Sequence, residues 1–349
     1  MEISSGYLQS EAGKLIRQRS LMLLTLVVGL ILFLLVDLST GPADMTLSQI
    51  VKGILNPDSL ELRHRIILWD VRLPDALIAL AAGAALGLSG VETQTILNNP
   101  MASPFTLGIS SFASFGASIA IVFLPTFGLV SQALVVPMFA LAFAILSAFM
   151  VLSFSRLVGG GRENVVLFGL ALFFLGDALT AALQYVGTAE AVQQIVFWTI
   201  GNLTKAGWVE VAAVSLCFVI ILPFSLRHVW VMTLLRAGEE QAASMGLNMG
   251  RLRLWVLLRV SVLCAFAVCF VGAIGFVGLV APHIARLLVG EDHRFLVPAA
   301  ALCGALLLSF ASILSKALLP GVIIPVGIIT AVVGVPVFLY LIVKRGRHL

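Results

Sequence analysis

The sequence is poor in charge: Asp, Glu, Lys and Arg make up 11% of its 349 residues, against 60% hydrophobic residues. A soluble globular domain carries roughly a quarter charged residues, so the shortage excludes a water-soluble fold. Cysteine is scarce as well. Cys217, Cys264, Cys269 and Cys303 all stand inside apolar runs without CxxC or CxxH spacing, which excludes a disulfide framework and a cysteine metal site. There is no Gly-x-x-x-x-Gly-Lys-(Ser/Thr) phosphate loop, no HExxH motif and no nucleophile–base constellation. The chain is therefore assigned no catalytic residue, no metal and no cofactor of its own. Its net charge of +4 lies mostly at loop ends, the pattern of topology signals and not of a nucleic-acid surface.

Long uncharged runs take the place of what is missing. Residues 20–36, 260–282, 295–315 and 317–343 reach or approach the roughly 20 residues a helix needs to cross a bilayer. The run 93–155 has 63 residues without Asp, Glu, Lys, Arg or His and must cross more than once. The first run follows Lys14, Arg17 and Arg19, but Asp37-Leu38-Ser39-Thr40-Gly41-Pro42 offers no small-x-small cleavage site, so it reads as a retained helix. Cutting at charges and Gly/Pro/Asn clusters predicts an all-α polytopic membrane protein with about ten transmembrane helices. They cover 20–38, 74–97, 104–124, 130–155, 164–186, 207–226, 253–273, 274–290, 295–315 and 325–343 of a single permease-type domain, 1–349.

The Lys/Arg census orients these spans, with 14 on one set of segments and 6 on the other. Both termini and residues 227–252 are expected in the cytoplasm, and residues 39–72 and 316–324 outside. This requires two crossings between 253 and 291, with Gly272, Gly275 and Gly278 supplying the reversal. In the second span, Gly83, Gly87 and Gly90 among alanines predict close helix packing, because small residues let backbones approach in lipid. Glu92, Gln94 and Asp177 would be costly against lipid and must face other helices or a wet cavity. Gln94, Asn98 and Asn99 are the candidate lining of a translocation path near the inner end of the second span. For Asp177 a bond to a neighbouring helix is preferred over transport.

The most informative soluble stretch is Leu235-Arg236-Ala237-Gly238-Glu239-Glu240-Gln241-Ala242-Ala243-Ser244-Met245-Gly246-Leu247. Gly238 starts a turn, Glu239 and Glu240 favour a helix N-terminus, and Gly246 stops the helix. A short helix bounded by glycines between two spans is either a solvated loop or a rigid knob for another protein to grip.

That stretch resembles the coupling loop of the ABC-importer permease family that takes up iron-siderophores, haem and cobalamin. Four further stretches agree in order and spacing. Val71-Arg72-Leu73-Pro74 leads through the Gly/Ala helix to Gln94, Asn99-Pro100-Met101-Ala102, Pro104 and Leu107-Gly108. Phe197-Trp198-Thr199-Ile200-Gly201-Asn202-Leu203 comes next. Gly275-Phe276-Val277-Gly278-Leu279-Val280-Ala281-Pro282-His283-Ile284-Ala285-Arg286 runs on to Gly290-Glu291-Asp292-His293-Arg294, and Pro325-Val326-Gly327-Ile328-Ile329-Thr330-Ala331 opens the last span. The resemblance covers about residue 70 to the C-terminus.

The resemblance implies the permease of a binding-protein-dependent importer in the bacterial inner membrane, surrounded by lipid. It pairs with a second permease, identical or not. ATP and Mg are used by cytoplasmic ATPase subunits, and a periplasmic or lipid-anchored binding protein delivers an iron chelate. A ferric siderophore heads the list, with haem, cobalamin and other metal-chelates also fitting. Gly238, Glu239, Glu240, Ala243 and Gly246 become ATPase-coupling residues, with His283 and Arg286 on a second inward-facing element. Arg72 and Lys316 match external positions that seat an acidic binding protein. A third such position, usually arginine, is here Asp75, and Ser312 and Ile323 stand where acidic residues are usual. The competing class is a secondary transporter using Glu92 or Asp177 for protons.

Overall fold

The computed structural model describes residues 2–41, 43, 45–123, 132–157, 161–319 and 321–346, with side chains of 2–11, 132–133, 155–156, 237, 341–342 and 344–346 outside the description. The edges of the third and fourth predicted spans at 124 and 130–131, and Arg347 of the basic C-terminus, lie outside the described residues. Helix α1 (Glu2–Ser39) is followed by the external segment's α2 (Leu47–Leu55) and α3 (Leu62–Ile66). From α3 the chain stays helical through a π-helical turn, Ile67–Arg72, into α4 (Leu73–Ile96). Then come α5 (Ile109–Phe123), α6 (Gln132–Leu157), α7 (Arg162–Val186), α8 (Ala189–Ile200) and α9 (Trp208–Arg227). The short α10 (Val229–Leu234) and α11 (Glu239–Ser244) precede α12 (Met249–Val271), α13 (Val277–Val289), α14 (His293–Ala317) and α15 (Val326–Gly346).

The fold is all-α; among the described residues the sole β feature is an isolated bridge between Leu319 and Val322. Among the described residues, seven helical stretches are long and apolar enough to cross a membrane, namely α1, α3 with α4, α6, α7, α9, α12 and α14, and α5, α13 and α15 are shorter apolar helices. Burial sorts them. The apolar window of α4 is 78% buried and those of α12 and α14 are 67% buried, whereas α1 is only 11% buried. Thus α4, α12 and α14 form the protein interior, while α1 displays Leu24, Ile31 and Leu32 outward, as a lipid-facing helix must.

Glycine decides how the central helices meet. A Cβ on Gly83 or Gly87 would collide with the backbone of Gly304 or Ala300 on α14, and one on Gly90 with the backbone of Gly278 on α13. The Gly/Ala-rich second span is therefore a close-packing surface, where dispersion between near-touching backbones holds helices that have no hydrophobic driving force in lipid. A second convergence lies at the far ends of three elements. Cβ atoms on Gly272 and Gly327 would strike the carbonyls of Trp198 and Ile200, and the Asn202 amide donates to the Val271 carbonyl at 2.8 Å. Two motif stretches and the end of α12, distant in sequence, thus meet at one backbone junction.

The stretch between Arg253 and Glu291 forms two helices, α12 and α13, separated by residues 272–276, with positive φ at Gly272 (78°) and Phe276 (66°). At about 1.5 Å per residue, the 13 residues of α13 span about 20 Å. That is less than a bilayer core, and its end residues, Val277 and Val289, are both buried.

Candidate functional site

The stretch 238–246 folds as the glycine bounds predict. Gly238 has φ 124° and Gly246 has φ 85°, conformations L-residues avoid. At the helix end the Gly246 amide donates to the Ala243 carbonyl (2.9 Å) and the Leu247 amide to the Ala242 carbonyl (3.3 Å). This paired arrangement closes off carbonyls that would otherwise be orphaned. Ala242 is fully buried and anchors α11, while Glu240, Gln241, Ala243, Ser244 and Met245 are exposed. Glu239 fixes the other end, accepting from Arg162 Nε of α7 (2.8 Å) and Arg253 Nη2 of α12 (2.5 Å). Burial works against its ionisation, yet these two arginines outweigh burial and hold the carboxyl below its usual range. The result is an exposed, rigidly seated knob.

A polar pocket opens beside it. Helix α4 ends with Asn98 at φ 45°, and the amides of Asn98 and Asn99 donate to the carbonyls of Thr95 (3.1 Å) and Gln94 (3.0 Å). Asn98 is thus the left-handed residue that terminates the helix, a role asparagine fills after glycine. Gln94 is buried; its Nε2 donates to the Leu279 carbonyl at 3.2 Å and its Oε1 accepts from Arg286. Arg286 Nε lies 3.3 Å from Glu291 Oε2, and Arg236, from the turn leading into α11, pairs with the same carboxylate. Gln94, Asn98, Asn99, Arg236, Arg286 and Glu291 line one pocket. Sequence reading put Gln94, Asn98 and Asn99 on a path and Arg286 on a coupling surface; the structure joins them. Arg236 and Glu291 were visible only as a basic topology signal and as part of a motif stretch.

His283 stands apart from Arg286. Its ring packs edge-on against Phe338 of α15, with centroids 5.8 Å apart, and Nδ1 lies 2.8 Å from the Leu279 carbonyl. Three residues along a helix turn a side chain by about 60°, enough on α13 to give His283 and Arg286 different neighbours.

At the opposite end, Arg72 and Lys316 also differ from expectation. Arg72 is 4% exposed and donates to the carbonyls of Leu38 (2.7 Å) and Ala43. The Lys316 side chain is 6% exposed, with Nζ 2.8 Å from Asp37 Oδ1, and Ser312 Oγ donates to the same oxygen at 3.0 Å. Neither cation is a surface charge. An unpaired charge this deep would be heavily penalised, so each folds back onto acceptors of its own chain and staples α1 to α4 or α14. Asp75 is buried and interacts electrostatically with Lys316 and Asp37. Asp37 was the partner that sequence reading missed, having weighed it only as part of a cleavage site.

Glu92 is engaged too. Arg259 of α12 holds it bidentately, Nε to Oε2 at 2.7 Å and Nη2 to Oε1 at 2.6 Å. Glu92 is 1% exposed and Arg259 is 8% exposed, so the carboxylate is held in a buried ion pair, with Arg259 Nη1 also 3.3 Å from His228 Nδ1. Arg259 stands inside a predicted span and entered neither side of the basic census. Asp177 is exposed on α7, in line with Leu167, Leu170, Phe174 and Tyr185.

Comparison with known proteins agrees with this geometry. The profile of the FecCD transport family matches residues 29–344. The Fe(3+)-citrate import system permease protein YfmE of Bacillus subtilis is 34% identical, over 95% of this chain and 98% of its own length. The hemin transport system permease protein HmuU of Yersinia pestis is also 34% identical, over 93% and 97%. A solved metal-chelate type ABC transporter in an inward-facing conformation superposes with a TM-score of 0.80 at 30% identity, covering 92% of this chain and 98% of that one. With its helices, glycine contacts and motif stretches all placed on that framework, the chain belongs to the FecCD transport family, the membrane permeases of ABC importers.

Proposed function

We propose that this chain forms half of the translocation path of an ATP-driven importer for an iron chelate, a ferric siderophore before haem or cobalamin. The observation that carries this reading is α11. A glycine-bounded helix anchored through Ala242 and Glu239 presents Glu240, Gln241 and Ala243 outward, in a chain with no nucleotide site. ATP and Mg belong to a cytoplasmic ATPase that grips this knob, so both termini and α11 lie on the cytoplasmic side, in agreement with the basic bias. The substrate class follows relatives named for Fe(3+)-citrate and hemin. A second permease covers the face of α7 bearing Asp177, or that face borders the water-filled path, since a carboxylate at membrane depth needs water or protein around it. An external binding protein delivers the chelate. Its contacts involve other groups than Arg72 and Lys316, which shape the outer surface from within.

The test is co-purification and reconstitution with the ATPase and binding protein, followed by ATP-dependent uptake of iron-55 chelates into proteoliposomes. Ala243→Glu is expected to leave insertion intact while separating ATP hydrolysis from uptake. Undiminished uptake by that variant, or uptake without ATP, rejects the reading.

A further inference from the structure

Glu291, Asp292 and the first residue of α14, His293, gather contacts from α1, α4, α10, α13 and the turn before α11. Glu291 takes Arg236 from the turn before α11 and Arg286 from α13. Asp292 pairs with Arg19 of α1 at 3.2 Å and caps α14 through Arg294. Hydrogen bonds from its neighbours, Arg294 first, hold its carboxyl below the usual range against the opposing effect of burial. The His293 amide donates to Thr233 Oγ1 of α10 at 3.2 Å, and the His293 ring shares a 2.8 Å hydrogen bond with Thr95 Oγ1 at the end of α4. His293 is 1% exposed, so this hinge is built into the protein and is not a surface contact.

The carboxylate of Glu291 is the shared element. On one side it meets Arg236, two residues before Gly238 and hence at the root of the exposed knob. On the other it meets Arg286, which donates to Gln94, which in turn is tied to the Leu279 carbonyl. The two arginines are not equally held. Side chains of Arg236 and Glu291 are each 44% exposed, whereas Arg286 is 17% exposed. A half-exposed pair exchanges at little cost, while Arg286 and the buried Gln94 lie deeper, in the lining of the pocket below α4.

We propose that the turn Glu291-Asp292-His293 is the transmission node of the transporter, with Glu291 fixing the lining of the inner exit through Arg286 and Gln94. Movement of α11 carries Arg236, draws the Glu291 carboxylate off Arg286 and frees Gln94 at the exit. Asp292 and His293 keep the turn registered on α1, α10 and α4, so displacement of Glu291 is not absorbed by the loop. Glu291 is thus a positioning residue, and its partner on the moving side is Arg236. This rests on the importer reading above and adds the route by which the knob reaches the path.

The experiment places a reporter cysteine at Leu235, a buried residue lining the exit pocket; the native cysteines, all four buried, stay silent. Maleimide labelling is followed in nanodiscs, where both faces are open, and ATP hydrolysis and uptake are followed in the reconstituted complex. Glu291→Gln is expected to raise resting labelling about fivefold, the population change that about 1 kcal/mol produces, with ATP hydrolysis continuing and uptake lost. Arg236→Gln is expected to do the opposite at the exit: labelling stays at the parental rate whether or not nucleotide is present, while uptake is again lost. Identical labelling for the two variants, or full uptake in both, overturns the node. The resting labelling of the parent and of Glu291→Gln needs no ATPase, so a failure to recruit one counts against the importer reading and leaves that arm of the node separately judged. Equal melting of parent and variants is required for support, and a variant that melts early is replaced by Glu291→Asp, which keeps the charge and is expected to restore part of the coupling.

Discussion

Arg259→Met isolates the energetic role of the ion pair between α4 and α12. In the parent, the side chains of Arg259 and Glu92 are 9% and 1% exposed and joined by two hydrogen bonds of 2.7 and 2.6 Å. Removing the guanidinium leaves a carboxylate with no competing solvent, a loss of about 3–5 kcal/mol. At about 2 °C per kcal/mol for a chain of this size, melting falls by roughly 6–10 °C. Glu92→Leu combined with Arg259→Met removes both charges and is expected to recover most of that loss, because a buried pair replaced by apolar groups is often neutral. The four buried cysteines supply the assay: a thiol-reactive fluorophore stays dark until the protein opens. A single variant that melts with the parent, or a double variant no better than the single, would refute the argument. The double variant is also expected to retain ATP-driven uptake, since Glu92 serves as the ion-pair partner of Arg259. Loss of uptake in a protein of parental stability would return Glu92 to a transport role.

Three further outcomes are expected. Glu239 has a carboxyl held below its ordinary 4.5, so its anchoring of α11 is fully present above that value and is lost only as pH falls through the lower folded value. Hydrogen exchange of α11, corrected for intrinsic rates, should then stay constant from about pH 8 to about pH 5, and loss of protection within that window would contradict the assignment. Lys316→Met should destabilise the protein by about 3–5 kcal/mol, with recovery on adding Asp37→Asn; weakened binding-protein docking at unchanged melting would instead restore Lys316 as a surface charge. A cysteine at the exposed Leu318 should react with an impermeant reagent from outside and one at the exposed Met245 only from inside. The reverse pattern would invert the topology.

The helical architecture was legible because it is encoded locally. Apolar runs near 20 residues need no knowledge of neighbours to be read as helices, and the glycines at 238 and 246 announce their helix because backbone conformation is a property of the residue itself. Gln94, Asn98 and Asn99 were visible as polar groups at the end of an apolar run, although the helix-terminating role of Asn98 required its φ of 45°. Even the close packing of α4 was implied by its small residues, but not its partners, Gly304, Ala300 and Gly278.

Charge pairing was the part that only the tertiary structure decided. Arg259 lies 167 positions from Glu92, and Lys316 lies 279 positions from Asp37. Nothing local marks such partners, so the sequence could show that a charge near the membrane must be satisfied without showing by what. Arg72 and Lys316 therefore looked like surface cations until α1 was seen folded against α4 and α14. Glu291 looked like one member of a motif until the turn that holds it was placed between α11 and the end of α4. Hydropathy and backbone preference act over a few residues and are read from the sequence, whereas an ion pair depends on which helices become neighbours, and that is settled when the whole bundle packs.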